Sequence, residues 1–229
     1  MPRSPRWLQL THDAAYHVMN RGHNRETVFT DDADRRYFLS LLQRYRQRDG
    51  FHLYHYCLMS NHFHLLLQLD NPKRLSSLMA GMLLAYVHYC HRRYGFVGHL
   101  WQGRFKSPLV QREDYWLSCG GYIERNPLEV GLCVVPWEYE WSSCRTYALG
   151  EANELLTENP CYTERCDTAA ARQEWWRRFL MEEDPRQKVV ERGDWAVGDV
   201  GFQQRMAVVL GRAMPQPRGR PKKGTAQPS

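Results

Sequence analysis

Between Leu75 and Cys90 the apolar side chains Leu75, Leu78, Met79, Met82, Leu83, Tyr86, Val87 and Cys90 recur at three- and four-residue spacing. That period describes an amphipathic helix whose stripe lies against a core, and Gly95 stops it. The segments before it follow the other period. Phe51 to Met59 and His62 to Leu69 read as strands separated by the turn-prone Ser60-Asn61, and Asn71-Pro72 closes the second. Upstream, Ala15 to Gly22 reads as a short strand. Asp31 or Asp32 then caps a helix running to about Arg48, with Tyr37, Phe38, Leu41, Leu42 and Tyr45 on its inner face. Downstream, His99 to Val110 holds a fourth strand. Glu113-Asp114 opens a helix expected to end near Asn126, since the residue before Pro127 disfavours helical geometry.

The order is strand, helix, strand, strand, helix, strand, then a further helix. It predicts an α+β fold with a ferredoxin-like split βαβ core, an antiparallel sheet with helices on one face, over residues 1–150. Helices around Thr168–Glu182 and Val200–Leu210 then suggest a small helical extension over 151–211, and residues 212–229 read as a basic tail, disordered when free.

Charge is distributed unevenly. Residues 1–150 hold 18 basic and 13 acidic side chains, residues 151–200 hold 7 and 12, and residues 201–229 hold 6 and none. A polyanion would meet the first region and the tail and be repelled by the middle. The chain has 43% hydrophobic residues, enough for a packed core, yet no window nears the ~18 unbroken apolar residues of a membrane span. Seven cysteines without C-x-x-C spacing indicate neither a disulfide framework nor a zinc ribbon. With no apolar signal segment after Met1, a cytoplasmic, nucleoid-associated location is the expectation.

Two stretches could carry chemistry. In a strand His62 and His64 point to one face while Phe63 points to the other, so two imidazoles stand side by side and could ligate one cation. On spacing alone, two histidines on a polar sheet face are an equally plain account. In the later helix Tyr122 and Asn126 are four apart and share a face with Tyr115 and Cys119. By periodicity Tyr122 would be a core or rim tyrosine.

Taken together, His62-Phe63-His64 followed by a helical Tyr122-x-x-x-Asn126 resembles the HUH endonucleases, and the single tyrosine resembles the single-tyrosine transposases of insertion sequences. Tyr16-His17-Val18-Met19-Asn20-Arg21-Gly22, Met59-Ser60-Asn61-His62-Phe63-His64, Trp101-Gln102-Gly103-Arg104-Phe105 and Tyr122-Ile123-Glu124-Arg125-Asn126-Pro127 occur in the order of their REP-associated branch, over about residues 10–148. The resemblance implies that Tyr122 attacks a DNA phosphate to form a 5′-phosphotyrosine link, and that His62, His64 and Asn126 hold Mg²⁺ or Mn²⁺. Ligand softness by itself would also suit Zn²⁺. Glu124, facing another side of the helix, is the weaker third ligand. The implied partner is single-stranded hairpin DNA. No P-loop is present, in keeping with strand transfer that needs no nucleotide cofactor. A hairpin-binding architectural protein that keeps the fold is one alternative. A zinc hydrolase using water is another, but it leaves Tyr122 without a role.

Candidate DNA contacts are Arg21, Arg104 and Lys106, in or beside these motifs, and Arg218, Arg220, Lys222 and Lys223 in the tail. Pro217-Arg218-Gly219-Arg220-Pro221 resembles an AT-hook, whose arginines enter the narrow minor groove of an A·T-rich duplex flank. A non-specific tail would add phosphate contacts alone. Deleting residues 212–229 removes five positive charges. DNA affinity should therefore fall and its salt dependence become shallower, both read by fluorescence anisotropy across a salt series. A larger loss on A·T-rich than on G·C-rich flanks supports the AT-hook, and equal losses leave only the non-specific tail.

Overall fold

Ala15–Arg21 forms the central strand, β1, in the computed structural model, which describes residues 15–95, 97–182, 184–192 and 194–214. On one side β1 pairs antiparallel with β3 (His62–Leu69), which pairs antiparallel with β2 (Phe51–Met59). On the other side it pairs antiparallel with β4 (Leu109–Val110), and β5 (Ala196–Val197) adds in parallel. The order β2-β3-β1-β4-β5 contains the expected ferredoxin-like core with one extra strand at its edge.

Two helices cover one face, α1 (Asp32–Asp49) and α2 (Leu75–Tyr94). Phe38, Leu41 and Leu42 of α1 and Leu78, Met79, Met82 and Tyr86 of α2 meet Tyr16, Val18, Phe63, Leu65 and Leu67 of the sheet. Asp31 caps α1 by accepting from the Asp34 backbone N–H, and Gly95 (φ 66°) ends α2 in the left-handed conformation expected of it. To this extent the expectation of helices on one face holds. The opposite face is covered as well. There α3 (Asp114–Glu129), α4 (Cys144–Leu149), α5 (Pro160–Thr163), α6 (Ala169–Met181) and α7 (Gln187–Arg192) assemble. Their Trp116, Leu117, Ile123, Tyr147, Trp176 and Leu180 pack with Ala15, Cys57, Met59 and Leu66. The reason lies in the strands, which are apolar on both sides and would leave Leu66 and Cys57 in water if one face stayed open. The final helix, α8 (Val200–Leu210), follows β5 and matches its expected span.

Two sequence expectations need correction. The strand foreseen within 99–110 shrinks to Leu109–Val110, and the chain before it meets β1 only through bridges of Lys106 to Met19 and of Trp101 to Gly22. The helix foreseen to end near Asn126 continues through Pro127 to Glu129. Proline has no N–H for the Ile123 carbonyl one turn back. The Asn126 side chain stands in, donating Nδ2–H to the Tyr122 carbonyl at 2.7 Å and to that of Ile123 at 3.4 Å.

A buried carboxylate ties the two outer helices together. Asp34, fully buried, accepts from the Thr30 backbone N–H (2.8 Å), the hydroxyls of Tyr89 (3.0 Å) and Tyr94 (2.8 Å), and Arg93 Nη1 (2.5 Å). Arg93 also pairs with Asp31, whose carboxyl it holds below the usual range. Replacing Asp34 by alanine orphans these donors together, and should destabilise the protein by roughly 2–4 kcal/mol. Urea unfolding of Asp34→Ala checks it. A change below about 0.5 kcal/mol, the range of an ordinary surface substitution, would show that the cluster contributes no net stability.

Candidate active site

The two-residue period of β3 sends Phe63 into the core beneath α1 and α2 and turns His62 and His64 to the α3 side, with ring centroids 5.0 Å apart. The β1–β3 register sets Met19 opposite His64 and Leu66 opposite His17, so His17 and His64 are diagonal neighbours on that same face. Their rings stack, with His17 Nε2 2.8 Å from His64 Nδ1. Above them stands Tyr122 of α3, its ring 5.7 Å from that of His64 and 5.9 Å from that of His17, nearly perpendicular to both. One turn on, the Asn126 side chain lies beside His62 and favours its protonated form. The sequence candidates His62, His64, Tyr122 and Asn126 thus converge, and the structure adds His17 to them.

Electrostatics follow from burial. Desolvation lowers His62 from 6.5 to about 4, assisted by the positive charge of Arg21, lowers His17 to about 3 and holds His64 well below its usual value. All three imidazoles are therefore neutral near pH 7, the form that binds metal ions. Burial also raises the Tyr122 hydroxyl to about 12, with the charge of Glu191 on α7 adding to the rise and Arg21 opposing it. Tyr122 is thus a weaker acid than free tyrosine, and as a nucleophile it would need an activated target.

The donor set suits a divalent cation. Asn61 donates its amide N–H to the Arg25 carbonyl at 3.1 Å, so its oxygen, 2.6 Å from His62 Nδ1, is the acceptor. His62 then carries its proton on Nδ1 and keeps a lone pair on Nε2. Because the Asn126 amide nitrogen is engaged by helix carbonyls, its oxygen is the atom left to face a ligand. Two neutral imidazoles and an amide oxygen form a workable partial shell for Mg²⁺ or Mn²⁺ with water completing it. Among the described residues, no group of three or more His, Cys, Asp and Glu side chains forms a metal-binding cluster, so Asn126 would have to complete any site built on this pair.

Glu124 is elsewhere. Its fully buried carboxylate accepts from His55 Nδ1 (2.8 Å) and Ser143 Oγ (2.6 Å) at one oxygen, and from Trp176 Nε1 (2.8 Å) at the other. Asn159 fixes the proton positions: its oxygen accepts from the Cys161 backbone N–H, so its nitrogen donates to His55 Nε2 at 3.1 Å. A β-bulge explains how His55 reaches this network. The β2–β3 register shifts between Leu53 and His55, so Tyr54 and His55 both turn toward α3. Gly120 completes the fit, since a Cβ there would lie 2.6 Å from His55 Nε2. The sequence offered no signal for this network beyond the glycine pair at 120–121, because the bulge and the pairing partners of Glu124 are long-range features.

The basic candidates divide in two. Arg21, exposed at the end of β1 opposite His62, places its charge on Tyr122 and on both histidines of the pair. Arg104 and Lys106 are exposed on the 101–106 segment, which is pinned to the same end of β1 by Gln102 N–H to the Arg21 carbonyl and Lys106 N–H to the Met19 carbonyl. The three therefore border one end of the sheet, beside His62. Arg218, Arg220, Lys222 and Lys223 lie outside the described residues.

Comparison with known proteins bears on the family and the fold. A search of curated proteins gave no match. Among solved structures, the chain is similar to a REP-associated tyrosine transposase bound to a REP hairpin, with TM-score 0.55 and 14% identity over 70% of this chain and 93% of that one. At that identity the likeness establishes the fold. Residues 10–126 match the family described as "Transposase IS200 like", a stretch that runs from before β1 through Asn126 and covers just over half of the chain. The chain belongs to the IS200-like transposase family.

Proposed function

We propose that the protein cleaves and rejoins single-stranded DNA beside a hairpin through a covalent tyrosine intermediate. The observation that carries this reading is the convergence of Tyr122 from α3 with His62 and His64 from β3, beside the charge of Arg21. The solved relative, whose description names a bound REP hairpin, supports a hairpin as the class of substrate.

Tyr122 Oη attacks the scissile phosphorus. A phosphorus–oxygen bond forms to the tyrosine, the bond to the 3′-oxygen breaks, the phenol loses its proton and the departing 3′-oxygen gains one. The energy of the phosphodiester is retained in the phosphotyrosine, so attack by a 3′-hydroxyl reverses the step without ATP. His62, His64 and Asn126 would hold Mg²⁺ or Mn²⁺, which when bound polarises the phosphate and offsets the charge developing on it. Arg21 contributes fixed positive charge near the same phosphate, and Arg104 and Lys106 guide the strand toward it.

Tyr122→Phe keeps the ring and removes the attacking oxygen. Stability should change by no more than ~0.5–1.5 kcal/mol, while a hairpin oligonucleotide labelled 3′ of the cut yields no SDS-resistant adduct. The wild type should yield one, mapping by mass spectrometry to Tyr122. An adduct on Tyr115 or Tyr86, or cleavage by a folded Tyr122→Phe protein, would refute the assignment. His62→Ala, His64→Ala and EDTA should each abolish cleavage while hairpin binding persists, and cleavage indifferent to all three would remove the metal from the scheme.

The pH dependence has a defined sign. Because folding lowers His17 to about 3 and His62 to about 4, the unfolded chain takes up their protons first, and stability falls as pH drops from 6.5 toward 4. Urea midpoints between pH 7 and 4.5, measured in EDTA, should decline less steeply for His62→Gln than for the wild type. Equal slopes would mean that His62 is not held neutral by burial.

A further inference from the structure

His17 is assigned no part in the scheme above, yet it is fully buried within reach of Tyr122 and hydrogen-bonded to a proposed metal ligand. Two neutral imidazoles joined nitrogen to nitrogen have one proton between them on that line, and its position decides what the outer nitrogens can do. If His17 Nε2 donates, His64 Nδ1 accepts and the remaining His64 proton sits on Nε2, which leaves no lone pair for an ion. If His64 Nδ1 donates, His64 Nε2 keeps its lone pair, His17 Nε2 accepts and the single ring proton of His17 sits on Nδ1.

On this reading of the site, which rests on the metal role proposed for the pair, we infer that His17 is a positioning residue that holds His64 in its Nδ1–H tautomer. Two observations support it. Its Nε2 lies 2.8 Å from His64 Nδ1, and the two rings stack at 5.0 Å with an interplanar angle of 27°. Its own Nδ1 is a buried polar atom with no hydrogen-bond partner, so it fixes neither tautomer and leaves the choice to the contact with His64. The neighbouring ligand is held in the same way, since Asn61 accepts from His62 Nδ1. Both histidines of the pair would then keep Nε2 free, one through a side chain adjacent in sequence and the other through a residue on the next strand. Metal-bound histidines are commonly oriented by such an acceptor at the second ring nitrogen, and its loss typically weakens metal binding 10–100-fold.

The test uses the full chain labelled with ¹⁵N-histidine. Long-range ¹H–¹⁵N spectra of the metal-free wild type should show His64 protonated at Nδ1 with a lone pair at Nε2. His17→Phe retains a buried ring without an acceptor. It should weaken Mn²⁺ binding, measured by electron paramagnetic resonance titration, 10–100-fold, with circular dichroism unchanged. His17→Gln, whose amide oxygen can accept from Nδ1–H, should bring the affinity back to within a few-fold of wild type. A wild-type His64 protonated at Nε2 overturns the inference, as does a folded His17→Phe protein that binds Mn²⁺ like the wild type. Should His17→Phe fail to fold, the wild-type tautomer and the His17→Gln affinity decide. Failure of the metal reading itself looks different: the wild type would bind no Mn²⁺ and cleave in EDTA, whatever the His64 tautomer.

Discussion

The Glu124 carboxylate is the contact on which the arrangement of this molecule depends. It lies fully buried between α3 and the sheet and receives hydrogen bonds from β2 through His55, from the start of α4 through Ser143, and from α6 through Trp176. A carboxyl group in such a place is tolerated only when its oxygens are satisfied, which makes the position of each partner strict rather than approximate. Apolar packing alone would let α3 slide or rotate over Cys57 and Leu66 at modest cost. Three directed donors fix it, and Tyr122, two residues before Glu124, is fixed with it. The 151–211 segment therefore bears on the site through Trp176 and Asn159, although it supplies none of the proposed catalytic residues.

The same burial that holds the helix sets the chemistry beneath it. Removing His17, His62 and His64 from water keeps them neutral and leaves their lone pairs available, while it makes the Tyr122 hydroxyl harder to ionise. These effects oppose one another if the tyrosine is considered alone. In the proposed reaction they would agree, since burial strengthens each attraction between an anionic phosphate and a cation. Arg21 favours neutral His62 and His64 and the tyrosinate form of Tyr122. The Glu191 charge works against Tyr122 ionisation, so an element from the acidic part of the chain bears on the proposed nucleophile. The polyanion-repelling character of residues 151–200, read first from composition, thus has a local counterpart near the Tyr122 hydroxyl.

Sequence alone determined what depends on short-range periodicity. The stripe from Leu75 to Cys90, the cap at Asp31 or Asp32, the glycine stop at 95 and the Thr168–Glu182 and Val200–Leu210 helices all took the form their spacing required. Alternation in β3 likewise put His62 and His64 on one face, and helical spacing put Tyr122 and Asn126 one turn apart. Tertiary structure decided the rest. Whether the histidine face meets α3 depends on strand order. The presence of His17 beside His64 depends on the β1–β3 register, and the reach of His55 to Glu124 on a single-residue bulge. Covering the second sheet face, with Trp176 at its centre, was also beyond a local reading. So was the passage of α3 through Pro127, where a side-chain amide replaces the missing backbone donor. The physical reason is common to all of these: a residue's period states which way it points, but what it meets there is set by pairings between segments tens of residues apart, which no window of the sequence contains.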